Sequence, residues 1–171
     1  HPRVRRQRQM CIRDSNKRVY GVVTNMSIAV ERRDYLKHFD CFVCNQIEAG
    51  IFFAEDYEGK TPQELCEIIS ANVVSAQIPS IVVTMGGEGA VYADCKGNKG
   101  IYPARKVIVR DTTGAGDAFF AGVAIGMTYG KELKEAVEIG TRLAASVIIT
   151  TDNVCPRFLP KELGLDIDVE Q

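Results

Sequence analysis

Short apolar runs alternate with amphipathic stretches along this chain. Three runs are apolar almost throughout and have the length of a strand: a Val-rich segment at about 19–24, "CFVC" at 41–44 and "SIVVTMG" at 80–86. Strands that are covered on both faces show this pattern. Between the first two runs, "ERRDYLKHF" predicts a short helix that turns Leu36 and Phe39 inward.

Residues 61–76, "TPQELCEIISANVVSA", carry the clearest helix signals. Thr61 is a predicted N-cap, Pro62 takes the first helical position and Glu64 completes a capping box. The stretch "NQIEAGIFFA" at 45–54 starts another helical turn. The apolar stripe of the 61–76 helix consists of Leu65, Ile68, Ile69 and Val73.

The second half of the chain continues the alternation. "GEGAVYAD" and "GIYPARKVIV", residues 87–94 and 100–109, predict two strands around a turn, and a long amphipathic helix is predicted at about 131–149. Strands that alternate with helices indicate an α/β fold. We therefore expect a Rossmann-like, largely parallel sheet flanked by helices, formed by one folded unit over residues 19–171.

The first 18 residues differ from the rest in charge. They hold seven of the 21 basic residues and one of the 22 acidic ones, which leaves 14 basic against 21 acidic residues, a net charge of −7, for the remainder. A basic arm is typical of a nucleic-acid tail. It is also typical of a disordered leader, or of a segment foreign to the protein, because it offers little apolar surface for a core. We expect residues 1–18 to lie outside the fold and nucleic acid not to be a partner.

The six cysteines are scattered through a chain that does not need disulfides for its stability. Cys41 and Cys44 form a CxxC, but on a strand they point to opposite faces, and no second pair accompanies them. No apolar window has the length of a membrane span. We therefore expect a cytoplasmic protein with reduced thiols, no zinc site and no membrane partner.

The stretch "DTTGAGDAFFAG", residues 111–122, has the composition of a glycine turn that leads into a buried helix. Helix starts carry unpaired amides and partial positive charge, and Gly114 and Gly116 permit a ligand to approach those amides. This indicates a cradle for phosphate, beside which Asp117 could accept a proton from an attacking hydroxyl. An Asp at a helix start is also a common cap. We expect a loop over 111–117 and a helix that begins within about two residues of Asp117.

Two further stretches place polar or glycine residues directly after apolar strands. Asn45 and Glu48 follow "CFVC", and Thr84 and Gly86 belong to "TMGGEGAV". Ligands of open α/β sheets bind at the carboxyl ends of strands, and a carboxylate there could hold Mg²⁺ through water. An ordinary helix start and a hairpin turn would show the same residues. The P-loop pattern GxxxxGK[ST] is absent from the sequence.

These motifs, in the order NxxE, TxGxxG and DTTGAGD, resemble those of the ribokinase-like (PfkB-type) carbohydrate kinases. "DTTGAGDAFFAG" is similar to that family's second signature and is the most specific of the three. The resemblance covers about residues 19–160 and implies the C-terminal part of such a kinase, an incomplete domain.

The resemblance implies a role for each matched position. Asp117 would be the base that deprotonates the acceptor hydroxyl, and the amides of Gly114, Ala115 and Gly116 would form the anion hole. Asn45 and Glu48 would organise Mg²⁺ and the phosphates, while Thr84 and Gly86 would line the ATP cleft. The remaining two positions, Asp111 and Thr113, match those beside which the family often binds a monovalent cation such as K⁺.

The activity implied is ATP-dependent phosphoryl transfer to a hydroxyl group of a sugar or sugar-like small molecule, with a homodimer in the full-length enzyme. The family's first signature and substrate-binding residues have no match here, so the acceptor stays open and this chain by itself is expected to be inactive. The alternatives are a nucleoside or vitamin-precursor kinase of the same fold and a nucleotide-binding module without catalysis.

Overall fold

A computed structural model of the chain describes residues 17–23, 31, 33–150 and 158–165. The strands are β1 (Tyr20–Val22), β2 (Cys41–Asn45), β3 (Ser80–Thr84), β4 (Ala90–Asp94) and β5 (Lys99–Tyr102). The α-helices are α1 (Gln46–Phe53), α2 (Pro62–Ala76), α3 (Ala115–Thr128) and α4 (Leu133–Ile148). Three short 3₁₀ helices are also present in the described residues, at Arg33–His38, Gly86–Glu88 and Pro160–Leu163.

The five strands form one sheet in the order β1-β2-β3-β4-β5, which is their order along the chain. β1, β2 and β3 pair in parallel, β4 is antiparallel to β3, and β5 is antiparallel to β4. Four of the strands therefore point the same way and β4 alone is reversed. This confirms the predicted α/β fold with a largely parallel sheet.

Side chains alternate along each strand, so the sheet has two apolar faces, and helices cover both of them. Phe42, Cys44, Ile81, Val83 and Val91 point to the face that α1 and α2 cover. The other face, with Cys41, Val43, Val82 and Tyr92, packs against α3 and α4. The two cysteines of the CxxC thus lie on opposite faces, as predicted. In α2 the predicted capping box of Thr61 and Glu64 is present, and Leu65, Ile69 and Val73 are fully buried.

Helices α3 and α4 pack against each other through glycine. A β-carbon built on Gly122 would lie 2.6 Å from Cα of Gly140, and one on Gly126 would lie 2.8 Å from Cα of Ala136. Both distances are shorter than real β-carbon contacts. The two helix backbones therefore touch at positions where no larger residue fits.

Three sequence predictions differ from the structure. The strand expected over 100–109 ends at Tyr102, and Ile108 and Val109 are 85% and 61% exposed. The helix expected at 31–39 is a 3₁₀ turn over Arg33–His38, although Leu36 is buried as predicted. The loop expected over 111–117 is shorter, because α3 already begins at Ala115, which confirms the helix start predicted within about two residues of Asp117.

The basic arm falls mostly outside the described residues, which begin at Lys17. Arg18, assigned to the arm from the sequence, donates from Nη1 to the carbonyl oxygen of Met127. The backbone amide of Val19 donates to Oδ2 of Asp40 at 2.7 Å. The chain is thus already attached to the sheet and to α3 at residues 18 and 19.

Candidate active site

Asn45 and Thr84 end two neighbouring parallel strands and are partners in the β2–β3 register. The hydroxyl of Thr84 donates to the carbonyl oxygen of Cys44 at 3.4 Å. Asn45 is exposed and Thr84 is partly buried, so both side chains lie at the rim of the carboxyl edge of the sheet. Ligands of open α/β sheets bind at this edge.

Asn45 and Glu48 hold each other in a capping box at the start of α1. The Glu48 amide donates to Asn45 Oδ1 at 2.9 Å, and the Asn45 amide donates to Glu48 Oε2 at 2.7 Å. This satisfies two donors of the helix start and fixes the Glu48 carboxylate near the end of β2. The bond uses one of the two carboxylate oxygens.

The glycine turn before α3 is held by Asp111. Its Oδ1 accepts from the Thr113 amide at 2.8 Å, and this backbone bond, together with one to the Thr113 side chain, lowers the pKa of Asp111. Gly114 then takes the left-handed conformation, with φ of 79°, and is the N-cap of α3. Asp117 lies in the first turn of α3 and is exposed.

Helix α3 points its start toward the same edge as Asn45 and Thr84. Near its other end, the Thr128 hydroxyl donates to the Tyr20 hydroxyl at 3.3 Å, and the Met127 carbonyl accepts from Arg18. Tyr20 is the first residue of β1, so the end of α3 lies at the amino edge of the sheet. A 14-residue helix is about 21 Å long. Its start therefore lies toward the carboxyl edge.

The Asp117 carboxylate is used differently from the acidic residues at the equivalent position of the other helices. Glu48, Glu64 and Glu135 are each the third residue of an α-helix, and each accepts a hydrogen bond from its N-cap amide. Asp117 holds that position in α3 but accepts no hydrogen bond from any residue that the structure describes. The simple capping role therefore does not account for this carboxylate.

Two glycines near this edge have no structural explanation. The sequence contains 15 glycines. Gly87 and Gly116 alone combine an ordinary φ with open space around the missing side chain. Every other glycine either has a positive φ, as at Gly86, or touches a neighbour, as at Gly89, where a β-carbon would lie 2.1 Å from the Tyr102 carbonyl oxygen. Gly87 was not singled out from the sequence, where it is one of three glycines in a single turn.

The described residues contain no group of three or more His, Cys, Asp or Glu side chains that could hold a metal ion. Burial raises the pKa of the Cys44 thiol well above its usual value and that of Cys41 to about 12, so both are neutral thiols at pH 7. No helix in the described ranges is long and apolar enough to cross a membrane.

The structure thus brings Asn45, Glu48, Thr84 and Gly86 to one edge of the sheet. It directs the turn with Asp111, Thr113, Gly114, Ala115, Gly116 and Asp117 toward the same edge from the opposite face. Sequence reasoning did not identify the contacts that hold α1 in place: Gln46 donates to the carbonyl oxygen of Tyr57, and Asn72 donates to the Tyr57 hydroxyl. No local pattern links these residues.

Comparison with known proteins identifies the family of this chain. Residues 7–156 match the pfkB family carbohydrate kinases, and the matched range begins inside the basic segment 1–18. The chain is 35% identical over 136 residues to a guanosine-inosine kinase of Exiguobacterium acetylicum, covering 79% of this chain and 44% of that protein. The chain spans less than half the length of the curated relatives it matches.

Solved structures share the fold. A ribokinase of Thermotoga maritima superposes with a TM-score of 0.68 at 23% identity, over 91% of this chain and 50% of that chain. The Arabidopsis thaliana ribokinase, solved with ribose and ATP, superposes with a TM-score of 0.71 at 20% identity, over 84% of this chain and 45% of that chain. With most of its length matched to the family, the chain belongs to the pfkB family of carbohydrate kinases.

Proposed function

We propose that this chain carries the phosphoryl-transfer machinery of an ATP-dependent kinase whose acceptor is a hydroxyl group of a sugar or sugar-like small molecule. The observation that carries the proposal is the Asp117 carboxylate. It is exposed in the first turn of α3, directly behind the glycine turn, and no described residue uses it as a cap. Family membership and the shared fold support the same reaction class.

In this mechanism Asp117 is the general base that takes the proton of the acceptor hydroxyl as that oxygen attacks the γ-phosphorus of ATP. The bond from the γ-phosphorus to the β,γ-bridging oxygen breaks, and ADP leaves. The amides of Gly114 and Gly116 stabilise the charge on the transferred group, because they are at the start of α3. The Ala115 amide, predicted as a third donor, donates to the Thr112 carbonyl oxygen at 3.2 Å, so it can join them only if that bond opens. The open space at Gly116 suits such close approach.

Asn45 and Glu48 organise Mg²⁺ and the phosphates, and Thr84 and Gly86 line the nucleotide cleft. A single carboxylate with one oxygen held by the capping box suits Mg²⁺, which keeps several waters and is bound partly by substrate phosphates. When bound, Mg²⁺ neutralises charge on those phosphates. Gly87 adds open space on the exposed turn after β3, and we include it in the cleft.

Asp111 and Thr113 are the proposed neighbours of a monovalent cation such as K⁺. The Asp111 carboxylate is charged at neutral pH, as a cation site needs, and its lowered pKa extends that charge to more acidic pH. A cation bound there would stabilise the turn that presents Gly114 and Asp117. We also propose a cytoplasmic location and a homodimer for the whole protein.

The acceptor class divides into sugars and nucleosides. The similar guanosine-inosine kinase is named for nucleosides, whereas the Thermotoga and Arabidopsis structures are ribokinases. The acceptor of this protein is therefore tested among both classes. The second candidate function is a nucleotide-binding module in which Asp117 has no catalytic task.

The test is an ADP-release assay on the 171-residue chain and on the product of its complete coding sequence, with ATP, Mg²⁺ and a panel of sugars and nucleosides. We expect acceptor-dependent turnover from the complete product, stimulated by K⁺ over Na⁺. The 171-residue chain should bind ATP weakly and phosphorylate no acceptor. Turnover by that chain alone would overturn its description as an incomplete kinase, and nucleotide binding without turnover in either protein would favour the non-catalytic module.

A further inference from the structure

Beyond the β2–β3 pairing and the core packing of α1, one side-chain bond ties the start of α1 to a distant segment. Asn45 and Glu48 bond to each other, and Ile47 is 76% exposed. Among the described residues, the bond from Gln46 Nε2 to the Tyr57 carbonyl is the one side-chain hydrogen bond that ties positions 45–48 to another part of the chain. An eight-residue helix is too short to be stable without tertiary contacts.

The acceptor of this bond is itself firmly held. The Tyr57 side chain is 2% exposed, and its hydroxyl accepts from Asn72 Nδ2 at 3.0 Å. The same Asn72 amide group donates to Glu55 Oε1 at 3.1 Å, and the Glu55 amide donates to the Gly50 carbonyl at 2.9 Å. Helix α2, through Asn72, thus fixes residues 55–57 against α1.

Gly50 permits this close packing. A β-carbon at position 50 would lie 2.7 Å from the Glu55 carbonyl oxygen, so the 55–57 backbone lies directly on α1. Contacts connect α2 to the start of α1 through Asn72, Tyr57 and Gln46. Asn72 and Gln46 each donate a side-chain hydrogen bond to Tyr57, which is buried. Gln46 directly follows Asn45 at the sheet edge where the nucleotide is proposed to bind, and its side-chain amide is bonded to Tyr57.

We propose that Gln46 is a positioning residue for the metal-organising turn. Its amide fixes the orientation of the Asn45 and Glu48 side chains by tying the first turn of α1 to Tyr57, and it touches neither metal nor nucleotide. The inference rests on the proposed function, which assigns Mg²⁺ and phosphates to Asn45 and Glu48. Without the bond, the turn samples orientations in which the Glu48 carboxylate does not meet the metal–nucleotide complex.

The experiment compares the wild-type chain with Gln46→Met, which keeps the side-chain length and removes the donor. Gln77→Met is the matched control, because Gln77 also donates from Nε2 to a backbone carbonyl, that of Val74 at 2.8 Å, at the far end of α2. Two quantities are measured by NMR on the same samples. The first is the hydrogen-exchange rate of the 47–50 amides. The second is the dissociation constant of the protein–ADP complex, measured once with Mg²⁺ present and once with EDTA present.

We expect Gln46→Met to weaken binding of Mg·ADP by about two- to tenfold, the range for loss of one hydrogen bond, and to leave metal-free ADP unchanged. The 47–50 amides should exchange faster, and Gln77→Met should match the wild type in both measurements. Unchanged Mg·ADP affinity, or equal weakening with and without metal, would overturn the positioning role. Unchanged amide exchange would overturn it as well.

A failure of the proposed function has a different result. If the wild type binds no nucleotide while Gln46→Met still accelerates exchange of the 47–50 amides, Gln46 fixes the turn but the turn does not serve a nucleotide. That outcome overturns the metal assignment of Asn45 and Glu48, and with it the positioning role toward metal.

Discussion

Asn45 and Thr84 are register partners at the last position of two parallel strands, and each begins a segment with proposed contacts to the nucleotide. The Thr84 hydroxyl bonds to the carbonyl of Cys44, the residue before Asn45. The two strand ends are therefore fixed to each other by the sheet and by a side chain. Helix α1 and the Gly86–Glu88 turn consequently start from one rigid edge.

Replacement of Asp117 by Asn separates catalysis from helix stability. In the product of the complete coding sequence, loss of a general base lowers kcat by about 10²–10⁴, while the dissociation constant of ATP changes little. The loss of one favourable charge at a helix start costs only about 0.3–1 kcal/mol of stability. Steady-state kinetics, equilibrium binding and urea denaturation give the three quantities.

Asp117→Glu is the control for charge, because it keeps the carboxylate but moves it by one methylene. We expect it to retain more activity than the Asn variant. Near-normal turnover in Asp117→Asn would assign the carboxylate a helix-dipole role alone.

Alanine at Gly116 and at Gly122 should have opposite effects on stability, although both glycines lie in α3. Gly116 has an ordinary φ and open space, so Ala gains helix propensity and raises the free energy of unfolding by up to about 1 kcal/mol. At Gly122 the new β-carbon meets Cα of Gly140, so Ala lowers the free energy of unfolding by about 1–3 kcal/mol. Urea denaturation of both variants checks the signs.

The same Gly116→Ala variant should bind ATP or its phosphates more weakly despite its higher stability, because the β-carbon occupies space left open for the ligand. A variant that is both more stable and equal in nucleotide affinity would remove Gly116 from the proposed site.

The Tyr57 hydroxyl makes the free energy of unfolding depend on pH in the alkaline range. Burial, and then the charge of Glu55, raise the pKa of Tyr57 to about 12, above the ordinary value of 10.0. Because the folded state holds this proton more tightly, its contribution is complete below pH 10 and is lost as pH rises from 10 toward 12. Tyr57→Phe has no hydroxyl to titrate, so its free energy of unfolding should fall less steeply than that of the wild type between pH 10 and 12.

Guanidinium denaturation of the wild type and Tyr57→Phe at pH 8, 10 and 11 measures the difference. At pH 8 the variant should be less stable by about 1 kcal/mol, because Asn72 loses one acceptor. The gap between the two proteins should narrow with increasing pH. A constant gap would contradict the raised pKa.

Deletion of residues 1–16 should leave the melting temperature unchanged, because that segment has little apolar surface to offset the entropy of ordering. Deletion of residues 1–18 is the comparison, and it should lower the melting temperature because it removes the bond from Arg18 to Met127. Calorimetry of both truncated chains tests this. A clear loss of stability in the shorter deletion would show that the arm belongs to the fold.

Features that depend on neighbours in the sequence were predicted well. The capping box of Thr61 and Glu64 and the apolar run of β3 are local, and both are present as expected. The end of β5 was not predicted, because the apolar run 107–109 resembles a strand and only the folded chain shows Ile108 and Val109 exposed. The link from Asn72 through Tyr57 to Gln46 joins residues 11 and 15 positions apart without a pattern. Such long-range contacts are set by packing.

The strands follow one another in the sheet in the same order as along the chain. This order affects how the sheet folds during synthesis and how it can be exchanged by gene recombination. During synthesis each new strand can pair with the strand made just before it. No strand has to insert between two strands that were made earlier. In gene recombination, a crossover anywhere ahead of Tyr20 leaves all four strand pairings of this sheet within one parent. The segment from β1 to α4 can therefore be exchanged between relatives as a unit, with the sheet edge that carries Asn45 and Thr84 intact.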